Sequence, residues 1–116
     1  MQTEFAQNDL WLRCQEACRM CAVACNECAA ACLREPDVQV MARCIALDMD
    51  CASICTAAAG FMDRQSDYAS GICSVCEVLC NACAGECGQH QMDHCQRCAA
   101  ACRRCADACK AMVEKL

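Results

Sequence analysis

The chain has 116 residues, which suits one domain, so residues 1–116 are expected to form a single unit. Its net charge is −5, and Lys and Arg are scattered among Asp and Glu, which argues against nucleic-acid binding. No uninterrupted run of about 18 apolar residues occurs, so we expect no membrane span. The start, MQTEFAQNDLWLR, lacks a secretory signal, which predicts a reducing, cytoplasmic location.

Cysteine is the dominant feature of the composition, with 19 residues. Only 26 residues are Val, Ile, Leu, Met, Phe, Trp or Tyr. A compact domain of this size ordinarily buries more large apolar side chains than that, so thiols must fill much of the interior. Free cysteine suits this role because it packs as a small hydrophobic group.

The first predicted helix covers 9–33 and carries six cysteines separated alternately by four and three residues. This spacing is that of the a and d positions of a heptad, which keeps all six thiols on one helix face and fits no strand. Charged residues such as Arg13, Glu16, Arg19 and Glu27 fall outside this face. The six residues are Cys14, Cys18, Cys21, Cys25, Cys28 and Cys32.

The second predicted helix covers 38–62, with Pro36 expected in its first turn. Asp48 stands where the heptad of this helix predicts another cysteine. Either it lies at the edge of the stripe and reaches water or an Arg, or it points inward and accepts a thiol hydrogen bond or helps to hold metal. An inward carboxylate without a partner would be costly. The full stripe is Met41, Cys44, Asp48, Cys51, Cys55, Ala58 and Met62.

The third and fourth predicted helices cover 68–87 and 93–114 and repeat the ladder of the first. Gly88 fits the C-cap between them. Short connections make successive helices antiparallel, so the chain is predicted to be all-α, an up-down-up-down four-helix bundle with a cysteine-lined core. The ladder residues are Cys73, Cys76, Cys80, Cys83, Cys87, Cys95, Cys98, Cys102, Cys105 and Cys109.

These thiols favour metal binding over disulfides. Side chains three or four apart on a helix are about 5–6 Å apart at Cβ, too far for a disulfide but suited to bridging a metal. Soft thiolates select Cu(I), zinc or iron–sulfur clusters, and the compact runs typical of clusters are missing. Four zinc sites of four thiolates would bury roughly eight negative charges, whereas exchanging each thiol proton for Cu⁺ keeps the core neutral. Charge balance therefore favours Cu(I), with all 19 cysteines as candidate ligands.

The ladders resemble those of the bacterial cytosolic copper storage proteins over nearly the whole chain. The resemblance rests on CQEACRMCAVACNECAAAC, CIALDMDCASIC and CSVCEVLCNACAGECGQHQMDHCQRCAAACRRCADAC. It implies a tube of thiols that holds many Cu(I) ions, metal entering at one end, a cytoplasmic homotetramer and no catalytic reaction. A copper donor or acceptor protein would be a partner. Two alternatives stay open, a buffer for zinc or other soft metals and a thiol redox protein.

The topology also predicts two different bundle ends. One end gathers His90, His94, Met41 and Met92 beside the terminal cysteines, and these side chains are candidate Cu(I) ligands at an entrance. Alternatively, His90 and His94 are ordinary loop and helix-start residues. The other end should form an apolar plug. Its predicted members are Leu10, Trp11, Phe61, Met62, Tyr68, Ile72, Met112 and Leu116.

Overall fold

Four long helices make up the protein, as the sequence predicts. The computed structural model describes the backbone of residues 2–115 and the side chains of residues 9–115. The helices are α1 (Gln2–Cys32), α2 (Ala42–Asp63), α3 (Ala69–Cys87) and α4 (Asp93–Lys115), and the described residues contain no strand. Two helices begin away from their predicted positions: α1 begins seven residues earlier, and α2 begins four residues later. The bundle is narrow, measuring 54 × 20 × 17 Å.

The connection between α1 and α2 differs from the prediction. Pro36 lies in a bend, and a short 3-10 helix, Val38–Met41, begins two residues later, so the placement of Pro36 in the first helical turn is wrong. Its position follows from how α1 ends. The backbone N–H groups of Leu33, Arg34 and Glu35 all donate to carbonyls in the last turn of α1, which places Pro36 beyond this tightened turn.

Gly88 ends α3 as predicted, although the reason is close packing and not a left-handed backbone. Its φ is −63°, and its N–H donates to the carbonyl of Ala84. A Cβ at this position would lie 2.9 Å from that carbonyl oxygen and 2.9 Å from the Arg103 guanidinium. The Arg103 side chain can move away, but the contact with Ala84 lies within the last turn of α3, so a side chain at position 88 would strain the end of that helix.

The helices surround one core in the order of the chain. Each helix packs on the one before and after it, and α4 closes the ring by packing on α1. All 19 cysteines are fully buried, and alanines such as Ala58 and Ala99 fill the space beside them. Because thiols and methyl groups are small, the helices approach closely, and the interior is a column of sulfur atoms along the bundle axis.

The segment Val38–Asp63 is long and apolar enough to cross a membrane by length and composition alone. Asp48 and Asp50 interrupt it, so it holds no uninterrupted run of about 18 apolar residues. Its apolar character comes largely from the Cys, Ala and Met residues that face the other three helices. Buried core helices share this composition, and one such segment is weak support for a membrane span.

A candidate metal site along the bundle axis

The sulfur atoms form a continuous column, which we call the thiol column. Neighbouring Sγ atoms lie between 3.1 Å (Cys44 to Cys87) and 4.0 Å (Cys14 to Cys73) apart, both across helices and along them. These separations exceed the disulfide bond length of about 2.05 Å, and all 19 cysteines are free. The structure thus presents the thiols as unpaired ligands.

Groups of four thiols overlap along the column. In each group the four Sγ atoms lie within 4.8 Å of one another. Neighbouring groups share cysteines, so that no four thiols belong to one site alone. Structural zinc sites use four ligands in a closed tetrahedron, whereas Cu(I) accepts two or three thiolates and can use any of the overlapping groups. The groups are Cys18–Cys76–Cys105–Cys109, Cys21–Cys55–Cys80–Cys105, Cys21–Cys25–Cys51–Cys102 and Cys25–Cys83–Cys98–Cys102.

The electrostatics of the column favour neutral thiols in the metal-free protein. Burial raises the pKa of the Cys32 and Cys95 thiols above the ordinary range. Among the described side chains, no Lys or Arg is buried to balance a thiolate. A monovalent, soft metal that replaces a proton keeps each site neutral, whereas a divalent ion held by four thiolates leaves a buried net charge.

Asp48 lies inside the column. Its side chain is fully buried, and its Oδ1 accepts hydrogen bonds from the thiols of Cys98 at 3.1 Å and of Cys83 and Cys87 at 3.3 Å. Burial is the main cause that raises the pKa of Asp48 to about 12, so the carboxyl group is neutral at physiological pH. The prediction of a thiol hydrogen bond is confirmed, and the alternative of an edge carboxylate near water or an Arg is wrong, because α2 turns this position to the axis.

The end of the bundle that carries the α1–α2 and α3–α4 connections is called the mouth. Here His94 faces three thiols of the column. Its Nδ1 lies 3.5 Å from Sγ of Cys95, 3.7 Å from that of Cys28 and 3.8 Å from that of Cys32. Its Nε2 is 3.0 Å from Oε1 of Glu35. Burial disfavours the charged imidazole, but Cys28 and Glu35 outweigh it and raise the pKa of His94.

His90 occupies a different position at the mouth. Its Nε2 is 2.9 Å from Oε2 of Glu86, and Arg43 lies 3.5 Å from the other oxygen of that carboxylate. None of the hydrogen bonds of the described side chains joins His90 to a thiol. The structure therefore distinguishes His90 from His94, although the sequence predicts the same role for both. Met41 is buried and Met92 is half-buried against the core. Both stay predicted ligands.

The two glutamates were missed by sequence reasoning. Glu86 precedes His90 by four residues, a spacing that pairs side chains on a helix and could have been noticed. Glu35 and His94 are 59 residues apart, and only the folded bundle brings them together. No local signal in the sequence indicates that second pair.

The opposite end of the bundle is called the closed end. Trp11 donates its indole N–H to the carbonyl of Met62 at 3.0 Å, and Met62 and Met112 are buried above the last thiols. Leu10, Phe61 and Ile72 are partly buried. Tyr68 is 76% exposed, so its placement in the plug is wrong: it lies in the turn before α3 and faces solvent. The predicted plug residue Leu116 lies outside the described residues.

Comparison with known proteins agrees with this geometry. Residues 7–114 match the copper storage protein family. A cytosolic copper storage protein from Streptomyces lividans with five coppers is 40% identical, has a TM-score of 0.92, and covers 96% of this chain and 98% of its own. The same protein loaded with 10 copper equivalents is 41% identical with a TM-score of 0.90 over 93% of this chain and 86% of its own.

Further matches come from Bacillus subtilis. The Cu(I)-bound copper storage protein BsCsp3 is 45% identical and has a TM-score of 0.84, covering 86% of this chain and 94% of its own. The uncharacterized cysteine-rich protein YhjQ is 46% identical over 86 residues, which is 74% of this chain and 80% of that protein. The family match over nearly the whole sequence, the shared fold and the buried thiol column lead to one conclusion: this chain belongs to the copper storage protein family.

Proposed function

We propose that this chain stores and buffers many Cu(I) ions in the cytoplasm, with all 19 cysteines as thiolate ligands and residues 1–116 acting as one storage domain. One observation carries the proposal, the overlap of four-thiol groups along the column. Overlapping groups let Cu(I), which accepts two or three thiolates, bind anywhere along the axis. The relatives loaded with five and ten coppers support the same function.

Uptake is an exchange of ions that conserves charge. A thiol loses its proton, the sulfur binds Cu⁺, and the proton leaves to solvent, so the buried core gains no net charge. No electron is transferred, because the thiols remain reduced and copper remains Cu(I). The bundle requires no metal to fold, since thiols, alanines and methionines already fill its core.

The alternatives are less well supported. A zinc buffer would leave a buried net charge at each four-thiolate site, and no described Lys or Arg is buried to balance it. A thiol redox enzyme needs an accessible thiol with a lowered pKa, and all 19 cysteines are 0% exposed. Storage without turnover is therefore the function that the geometry favours.

The mouth is the proposed route for copper. His94 contacts the terminal thiols, and His90, Met41 and Met92 offer further soft ligands around it. A cytoplasmic copper donor or acceptor protein would act at this end. The exposed apolar side chain of Met20, with others on the outer faces, supports association into the homotetramer that the family resemblance implies. The acidic net charge of −5 supports the absence of a nucleic-acid partner.

An anaerobic titration tests the proposal. The reduced, metal-free protein is titrated with Cu(I) against a competing chelator, and with zinc in parallel. We expect copper binding to continue towards the number of thiols, with far weaker and earlier saturating zinc binding. A plateau at one or two copper ions would rule out storage, and tight binding of about four zinc ions would favour the zinc buffer.

A further inference from the structure

We propose that Glu35 is a positioning residue for copper: its carboxylate holds the imidazole of His94 so that the Nδ1 lone pair faces the last thiols of the column. The inference rests on the proposed function, since it concerns how the mouth binds the stored metal. None of the described hydrogen bonds joins Glu35 to a thiol, so its role in retaining copper acts through His94.

The hydrogen bond fixes the state of the ring. An ionised carboxylate only accepts hydrogen bonds, so Oε1 of Glu35, 3.0 Å from Nε2 of His94, requires the proton on Nε2. In the neutral imidazole the other nitrogen, Nδ1, then carries a lone pair. That nitrogen lies 3.5 Å from Sγ of Cys95 and 3.7 Å from Sγ of Cys28, close enough for a shared metal ion.

The fold places this carboxylate firmly. The backbone N–H of Glu35 donates to the carbonyl of Cys32 at 3.1 Å, within the turn that ends α1. The same helix end carries Cys28 and Cys32. The thiols that face Nδ1 of His94 and the carboxylate bound to its Nε2 are therefore fixed relative to one another. His94 itself belongs to α4, and a ring rotation away from the thiols would break its bond to Glu35.

The second histidine provides an internal control. His90 makes the same kind of bond to Glu86, with 2.9 Å between Nε2 and Oε2, but both residues lie at the end of α3 and the ring contacts no described thiol. A carboxylate–histidine pair is therefore present twice at the mouth, and only the pair Glu35–His94 joins the thiol column. If the glutamates affected copper binding only through their charge, both pairs would contribute. If Glu35 acts by positioning His94, only the pair Glu35–His94 contributes.

Removal of an outer hydrogen-bond partner of a metal-binding histidine typically weakens metal binding by about 10–100-fold. We expect Glu35→Gln to speed chelator removal of the first copper ions lost from the loaded protein by about tenfold, and Glu35→Ala by more. The neutral amide of Gln can donate as well as accept, so both tautomers of His94 become available. Glu86→Gln should have a much smaller effect, within about twofold, because none of the described hydrogen bonds joins His90 to a thiol of the column and any copper it holds is bound less directly.

The test combines two measurements on the reduced protein. Imidazole ¹⁵N spectra of the metal-free protein report the tautomer of His94, and chelator competition reports copper removal, for Glu35→Gln, Glu35→Ala and the control Glu86→Gln. Each Glu35 variant is also made with His94→Ala. We expect wild-type His94 to be protonated at Nε2, a mixed tautomer in Glu35→Gln, and no further acceleration by Glu35→Gln once His94 is absent.

Two results would overturn the inference. One is an unchanged tautomer and removal rate in both Glu35 variants while His94→Ala alone accelerates removal. The other is an equal effect of Glu35→Gln with and without His94. Neither affects the storage function, which fails separately if the wild-type protein binds only one or two copper ions. Glu35 is partly exposed, so its variants are expected to fold, and circular dichroism verifies this.

Discussion

The two ends of the bundle close the same thiol column by opposite means. At the mouth the last thiols face His94, and two glutamates hold the two histidines there. At the closed end the last thiols lie beneath Met62 and Met112, and Trp11 donates its indole N–H to a backbone carbonyl of α2. One end therefore carries histidines and carboxylates near solvent, and the other is covered by large apolar side chains.

This difference separates two tasks of a storage protein. Imidazole and thioether groups are Cu(I) ligands, and the proposed ligands of the mouth lie near solvent, so we expect the mouth to control rate. Buried apolar side chains exclude water and add stability, so the closed end is suited to retain structure. The column between the ends sets capacity, because it holds the thiols.

The largest effect is expected at the closed end. Trp11→Ala removes a half-buried indole and its bond to Met62, so we expect the free energy of unfolding of the reduced, metal-free protein to fall by about 3 kcal/mol. Urea unfolding measures the change. The matched variant Trp11→Phe keeps an aromatic ring but loses the N–H donor, so its free energy of unfolding should fall by about 1 kcal/mol. Equal stability of Trp11→Ala and the wild type would show that this end is not closed by packing.

We expect Asp48, on the mouth side of the column, to make the free energy of unfolding change by about 2 kcal/mol with pH. Its folded pKa is raised to about 12, while the unfolded chain releases the proton near the ordinary value of 3.8. The folded state thus binds more protons between these values, and stability falls as pH rises, by about 2 kcal/mol from about pH 4.5 to about pH 6. Urea unfolding of the metal-free protein across this range should show the decline.

Asp48→Asn should abolish that pH dependence, because an amide does not titrate. Asp50→Asn is the matched control, since Asp50 is exposed on the same helix and should leave the slope intact. A wild-type stability that rises with pH over this interval would mean that the buried carboxyl group is ionised.

The smallest of these effects concerns the rate at which copper is loaded through the mouth. The variant with His90→Phe, His94→Phe, Met41→Leu and Met92→Leu should load copper from a weak Cu(I) complex about tenfold more slowly, which corresponds to about 1.4 kcal/mol. The number of ions bound should fall only slightly, because the thiols remain. Stopped-flow loading gives the rate and equilibrium titration the capacity. Unchanged loading would place copper uptake elsewhere, and Trp11→Phe serves as the control at the other end.

The fold and the thiol column could be predicted because one periodic signal specifies both. Alternating steps of three and four residues define a helix face, and the same steps identify Cys14 or Cys109 as inward residues. Asp48 was placed on the inner stripe by this register, but its thiol partners come from α3 and α4, so its surroundings needed the structure.

The ends of the bundle were harder to predict because they depend on contacts between distant segments. Tyr68 is apolar enough for the plug, yet the turn before α3 directs it to solvent. His90 and His94 are close in sequence, but His90 pairs with Glu86 at the end of α3, while His94 reaches across to the thiols of α1. The helical period carries no information on such turns or on the pairing of Glu35 with His94.

The exchange of thiol protons for Cu⁺ along one continuous column is tested most directly by counting both ions at once. Reduced, metal-free protein is titrated anaerobically with Cu(I) at constant pH near neutrality, and the base needed to hold the pH gives the protons released. We predict copper binding that continues towards the 19 thiols, with about one proton released per copper ion over most of the titration. Saturation after one or two ions, or substantial copper binding without proton release, would contradict a neutral thiol store.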